Sequence, residues 1–182
     1  MNKFRGFTLL ELAVSIAIIG ILTSLALPAF QGMLADMRVR STAESFNLGL
    51  KLARSEAIKR NSRVSFRFST AGKWEVCATV SSTVNYTCLD ADRVDIKRSA
   101  EASQNVVIAP TPTDATMTTF TGLGRQYTDA NQAFKNPDAT VEVTQVDFSA
   151  TAASKTYRVL ITSAGSIKLC LPSLPAGNAK AC

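Results

Sequence analysis

From Leu12 to Ala35 the chain runs 24 residues without a charged side chain. Wound as an α-helix rising about 1.5 Å per residue, that run is roughly 36 Å long, enough for the hydrocarbon core of a bilayer. The segment therefore predicts a single membrane span. Lys3 and Arg5 are the basic side chains that precede it, and the positive-inside bias places the N-terminus in the cytoplasm and everything after the run outside. The chain reads as an exported one.

Glu11 stands just at the edge of this run. A carboxylate within a span costs on the order of 2.5–3.5 kcal/mol even on the mildest insertion scale, and such residues usually have a partner. No basic residue occurs between positions 6 and 35, and Arg5, six residues back, falls off the helical face that carries Glu11. Cutting the chain between Gly6 and Phe7 would supply a partner, a new α-amine on Phe7. Two plainer readings compete. An ordinary secretory signal would use Lys3 and Arg5 as its basic region, Leu12 to Leu22 as its apolar region and Ser24-Leu25-Ala26 as its cleavage site. Pro28 just after that cut, and the glutamate itself, argue against it. A plain single-pass anchor would let Glu11 snorkel to the interface.

The stretch Arg5-Gly6-Phe7-Thr8-Leu9-Leu10-Glu11 resembles the leader and processing site of type IV pilins and type II secretion pseudopilins. The resemblance implies cleavage after Gly6 by a prepilin peptidase, N-methylation of Phe7, and a Glu11 carboxylate that meets the N-terminal amine of a neighbouring subunit during assembly. It also places Pro28 where pilin helices commonly carry a helix-loosening proline. The implied partners are other pilins or pseudopilins, the prepilin peptidase and an inner-membrane assembly platform. The implied location is the inner membrane, single pass with a periplasmic lobe, and afterwards the pilus or pseudopilus.

Four cysteines, Cys77, Cys88, Cys170 and Cys182, form no CxxC pair, and the chain has no histidine, so a zinc or redox site is poorly supported. An even count in an exported domain points to disulfides. Three pairings are possible; the favoured one joins Cys77 to Cys88 across a hairpin-sized loop and Cys170 to Cys182, stapling the tail PSLPAGNAKA. Without histidine, a metal cluster, a glycine-rich phosphate loop or a G-x-S-x-G elbow, the sequence offers no catalytic constellation and calls for no cofactor. Asp90, Asp92 and Asp95 are at best a weak cation site, and more simply a solvated loop.

The net charge of +6 is unevenly placed. Residues 38–67 hold eight bases against two acids, so the excess lies beside the membrane, where anionic headgroups or neighbouring subunits are simpler partners than nucleic acid.

Beyond the span, Val39, Ala43, Phe46, Leu50, Ala53 and Ala57 recur at alternating steps of four and three, one face of a helix. The helix should continue, through a weak point at Pro28 and Gly32, to about Arg60, with Asn61-Ser62 ending it. After that the period becomes two. Val64, Phe66 and Phe68, then Trp74, Val76, Ala78 and Val80 across an Ala71-Gly72-Lys73 turn, predict a β-hairpin. Further strands are expected at 106–109, 116–121, 141–148, 157–162 and 166–171, the last two joined by Ser163-Ala164-Gly165. The polar stretches 89–105 and 122–138 read as loops.

The expected fold is therefore α+β, a long N-terminal transmembrane helix packed on a C-terminal antiparallel β-sheet lobe. Its divisions are a leader at 1–6, a helix at 7–61 with a spanning and polymerising part at 7–30 and an amphipathic part at 31–61, and a β-rich lobe at 62–182. The segment 52–60, followed by Arg63-Val64-Ser65-Phe66 and Trp74, is similar to the GspH/FimT branch of the pilin-like proteins. That resemblance implies a minor pilin of the FimU/FimT type or a type II secretion minor pseudopilin. In FimT proteins of DNA uptake a GRxR-like motif binds DNA; here the aligned Gly165-Ser166-Ile167-Lys168 lacks the first arginine. Lys168, with Arg125 of a separate Gly124-Arg125 loop, is the candidate DNA contact.

Overall fold

The structure, a computed structural model, describes residues 8–79, 93–98, 105–113, 115–127 and 143–182. Within these, the side chains of residues 25, 28, 29 and 79, and of strand 93–98 apart from Ile96, are not described. Gly6, Phe7, Cys88, Asp90 and Asp92 lie outside the described residues.

One helix, α1 (Leu9–Arg60), takes up 52 residues, roughly 78 Å at the standard rise. Both of its ends have local causes. Thr8 is extended at the N-cap, and its hydroxyl accepts from the Glu11 amide at 3.3 Å, which satisfies one of the unpaired amides of the first turn. At the other end Asn61 turns into the left-handed region (φ 46°), and its amide and that of Ser62 bond back to Ile58 and Ala57. The helix continues without a break through Pro28 and Gly32, where a weak point was expected. A single proline removes one backbone donor from a long ladder, and the turns on either side remain bonded.

Among the described residues the lobe's β-strands form two four-stranded antiparallel sheets. The first has the order β3-β2-β1-β5, from β1 (Val64–Phe68), β2 (Trp74–Thr79), β3 (Arg93–Arg98) and β5 (Met117–Phe120); the second has the order β4-β6-β7-β8, from β4 (Val107–Thr111), β6 (Gln145–Ser149), β7 (Tyr157–Ile161) and β8 (Ile167–Cys170). Strand β3 falls inside the stretch 89–105 expected to be a loop, a correction with a physical reason. Its sequence RVDIKR has only two apolar residues in six, enough for a strand that, among the described residues, pairs on one side alone. Strand β6 begins at Gln145, later than the expected 141.

Val39, Ala43, Phe46, Leu50, Ala53 and Ala57 are all within 1% of complete burial, and they hold α1 against both sheets. Phe46 lies edge-on to Phe66 and Phe68 of β1 and to Phe148 of β6, with centroids 5.6, 5.3 and 4.9 Å away. Beside it the helix comes close to β1 and β2 because position 49 is glycine. A Cβ there would stand 2.6 Å from the Phe66 ring and 3.1 Å from that of Trp74. The indole N–H of Trp74 donates to the Ser45 hydroxyl at 2.9 Å.

Cys170 and Cys182 are joined by a disulfide. With the Leu171 amide donating to Lys180 at 2.8 Å and a parallel bridge from Leu171 to Ala181, it lays the C-terminal tail back beside β8. Cys77 is also disulfide-bonded, and the expected partner Cys88 lies outside the described residues.

Candidate assembly surface

The lobe packs on the second half of α1 and leaves the first half uncovered. Between Leu9 and Met33 twelve large apolar side chains are at least half exposed, with Leu9 at 86%, Leu10 at 75% and Ile21 at 64%. Each stands to gain roughly 1–1.5 kcal/mol on being covered, so the surface as a whole carries a gross drive on the order of 10–20 kcal/mol toward lipid or other helices. Leaving aside residues 25, 28 and 29, no helix among the described residues is long and apolar enough to cross a membrane.

Glu11 lies at the exposed tip of that surface, three residues into the helix after Thr8. Two local forces favour a carboxylate here. The first turn presents unpaired N–H groups and the positive end of the helix dipole, and Thr8-x-x-Glu11 has the spacing of a capping box, of which the Thr8 half is formed. Sequence reasoning missed Thr8, although the T-x-x-E pattern was legible. Among the described residues the Glu11 carboxylate makes no ion pair or hydrogen bond, so it is open to a partner. Pro28 lies within the same uncovered half, and Gly6 and Phe7 lie outside the described residues.

Where α1 enters the lobe, Asp36 fastens the β6–β7 loop. Its carboxylate accepts from the Ser154 amide (2.8 Å), the Ser154 hydroxyl (2.7 Å) and the Lys155 amide (3.1 Å). The Ser154 hydroxyl, then the two amides, hold its pKa below the usual carboxylate value. A carboxylate whose folded pKa is depressed stabilises the fold above its unfolded value, near 4, and that contribution is lost as pH falls through the folded value. Asp36→Ala is expected to speed hydrogen exchange at Ser154 and Lys155 on the order of tenfold at neutral pH. The wild type should match the variant only in acid below the ordinary carboxylate range. Unchanged exchange in the variant would remove Asp36 as the fastener.

At the far end of α1 two turns meet. The Arg54 guanidinium donates to the Gly124 carbonyl at 2.9 Å, and Gly165 (φ 80°) approaches so closely that a Cβ would land on that same carbonyl oxygen. The positive φ and the contact together require glycine. Exposed Arg125 is thereby set beside the Gly165 turn, but Lys168 is engaged elsewhere, its ammonium donating to the Ala181 carbonyl at 2.7 Å. Among the described residues no group of acids or cysteines is arranged to hold a metal ion. Of the expected weak cation site, Asp95 lies on β3 with its side chain undescribed, and the other two acids are outside the description.

The family follows from these features and from comparison. Residues 42–176 match the family described as Type II transport protein GspH, and residues 1–27 match the Prokaryotic N-terminal methylation motif. The chain belongs to the GspH family, among the type IV pilin-like minor pilins and pseudopilins, and is a structural subunit rather than an enzyme. A fimbrial protein of Moraxella nonliquefaciens is 53% identical over 53 residues, covering 28% of this chain and 32% of its own length. The fimbrial protein EcpC of Eikenella corrodens is 39% identical over 84 residues (44% and 48%), and a type IV major alpha-pilin of Moraxella bovis 32% over 83 residues (46% and 52%). The chain thus spans about a third to a half of the length of these curated relatives. The solved type IV minor pilin FimU of Pseudomonas aeruginosa matches with a TM-score of 0.49 at 17% identity, over 77% of this chain and 90% of that one.

Proposed function

We propose that the chain is a minor pilin of a type IV pilus, of the FimU/FimT kind, cleaved after Gly6, N-methylated on Phe7 and built into the fibre through α1, where it primes or caps assembly. The division follows the sequence: leader 1–6, helix 7–61 with its spanning part at 7–30, lobe 62–182. Before assembly the chain is anchored in the inner membrane by one span, with the lobe in the periplasm and the assembly platform as its partner. The observation that carries this reading is the uncovered apolar half of α1 with, at its tip, a Glu11 carboxylate that has no partner among the described residues. Such a surface suits exchange of lipid for neighbouring helices.

A second reading, a minor pseudopilin of a type II secretion system, is favoured by the description of the matching family. The fimbrial relatives favour the first. A DNA-binding role through Arg125 and Lys168 finds less support, because Ser166 stands where an arginine would be needed and the Lys168 ammonium is held by the tail.

Mass spectrometry of the non-reduced protein from membranes and from sheared fibres tests the proposal. A chain that begins at N-methylated Phe7, carries two disulfides and is present in the pilus fraction is the expected result. One that begins at Leu27 would mean a soluble secreted protein and would end the assembly argument. Correct processing with absence from pili would move the protein to the secretion system.

A further inference from the structure

A groove of about 510 Å³ opens between the end of the uncovered half of α1 and the lobe, within the range of small-ligand sites. Gln31, Leu34 and Arg38 line it from the helix, Asn105 and Val107 from the segment that enters β4, and Thr151 from the β6–β7 loop. Its place along α1 is informative. The charge-free run ends at Ala35, so a helix seated in a bilayer by that run holds the groove at the headgroup layer.

Its chemistry is two-sided. The side chains of Gln31, Arg38, Asn105 and Thr151 make no hydrogen bond or ion pair within the protein among the described residues. They bring one full positive charge and three neutral hydrogen-bonding groups to the same opening. Leu34 and Val107, the latter 58% exposed, supply apolar wall. The nearest acid in sequence, Asp36, is two residues from Arg38 and so on another side of the helix, where its oxygens are taken by Ser154 and Lys155. That same fastening fixes the loop bearing Thr151, so one wall of the groove is built in advance. Arg40, by contrast, is paired with Glu44 at 2.8 Å.

We propose that this groove is a binding site for one anionic phospholipid, with the phosphate on Arg38, the amides and hydroxyl on the headgroup oxygens, and the first methylenes of the acyl chains on Leu34 and Val107. A bidentate guanidinium–phosphate contact is the strong form of such recognition. The site would hold the subunit at a fixed height in the membrane until it is extracted. The inference rests on the reading of α1 as a membrane anchor.

The test uses the full chain purified in a neutral detergent. Native mass spectrometry is run with added phosphatidylglycerol, phosphatidylcholine or inorganic phosphate, on wild type, Arg38→Gln and Arg40→Gln. One tightly retained phosphatidylglycerol is expected on wild type and Arg40→Gln, favoured about fivefold over phosphatidylcholine and reduced by about that factor in Arg38→Gln. Equal retention by Arg38→Gln, or retention of inorganic phosphate without the lipid, would overturn the site. So would Arg38→Gln that keeps the lipid but fails to enter fibres, which would give the groove to a neighbouring subunit's helix. Alkaline carbonate extraction of vesicles containing the same proteins separates the two levels. If wild type is not retained in the vesicles, the anchor reading and the site fall together; if it is retained without lipid preference, the site alone falls.

Discussion

Replacing Phe46 by alanine is expected to lower the stability of the lobe by about 3–5 kcal/mol, the usual cost of removing a buried phenyl ring. The site offers little relief from the cavity. Phe46 is completely buried, and its ring meets Phe66 and Phe68 of the first sheet and Phe148 of the second. Those rings are anchored by strands whose registers are fixed on both sides, so collapse onto the void would need two sheets to shift together. Since domains of this kind are held by roughly 5–15 kcal/mol in all, the variant should lie near the edge of folding. Phe46→Leu, which keeps most of the volume, should lose less than half as much. Urea unfolding of the full chain in detergent, followed by the fluorescence of the single tryptophan Trp74, checks both, because Trp74 stacks at 5.5 Å from Phe66 and reports the same core. A loss below about 1 kcal/mol for the alanine variant would mean that α1 is not held to the lobe through this ring.

That same ring illustrates what the sequence could and could not say. Phe46 belongs to a stripe that repeats every three or four residues from Val39 to Ala57, and such a period has no other good explanation than one buried helical face. Helix, face and approximate end at Arg60 were therefore readable. Partnership was not: nothing local tells Phe46 that it will meet Phe148, some hundred residues on, as well as Phe66. The separation into two sheets was hidden for the same reason, since β1 pairs with β5 across some fifty residues and β4 with β6 across a stretch read as a loop. Strand β3 escaped notice because it is the outermost described strand of its sheet, a position where charged side chains are tolerated and the apolar pattern is weak.

The functional residues divide along the same line. Glu11 was conspicuous because a charge beside an uncharged run is costly wherever the run goes. Asp36 was unremarkable in sequence, an acid where a helix leaves an apolar stretch. Its significance lies in Ser154 and Lys155, 118 and 119 residues away. Arg38 gained its interest only when the structure showed which neighbours line the same groove and which acid does not face it.

Glu11→Ala is expected to abolish incorporation into fibres while leaving the lobe folded, and the reason is a balance of two environments. Burying the twelve exposed apolar side chains of α1 does not favour the fibre over the membrane, because lipid tails are as apolar as the flanks of other helices. Something else must tip the transfer. In the membrane the Glu11 carboxylate faces a penalty of about 2.5–3.5 kcal/mol with no base between positions 6 and 35 to offset it. Beside the new α-amine of another subunit that penalty is relieved. Alanine removes the difference, which corresponds to a shift of about a hundredfold in partition. It should cost the helix itself only a few tenths of a kcal/mol or so, since Thr8 still caps the first turn and only the favourable meeting of charge and dipole is lost. Glu11→Gln keeps the shape and loses the charge, and should fail nearly as badly; Glu11→Asp keeps the charge and should recover part of the incorporation. Quantifying the subunit in sheared fibres against the membrane fraction reads all three. Wild-type levels of the alanine variant in the fibres would take the carboxylate out of assembly and leave its position to helix capping alone.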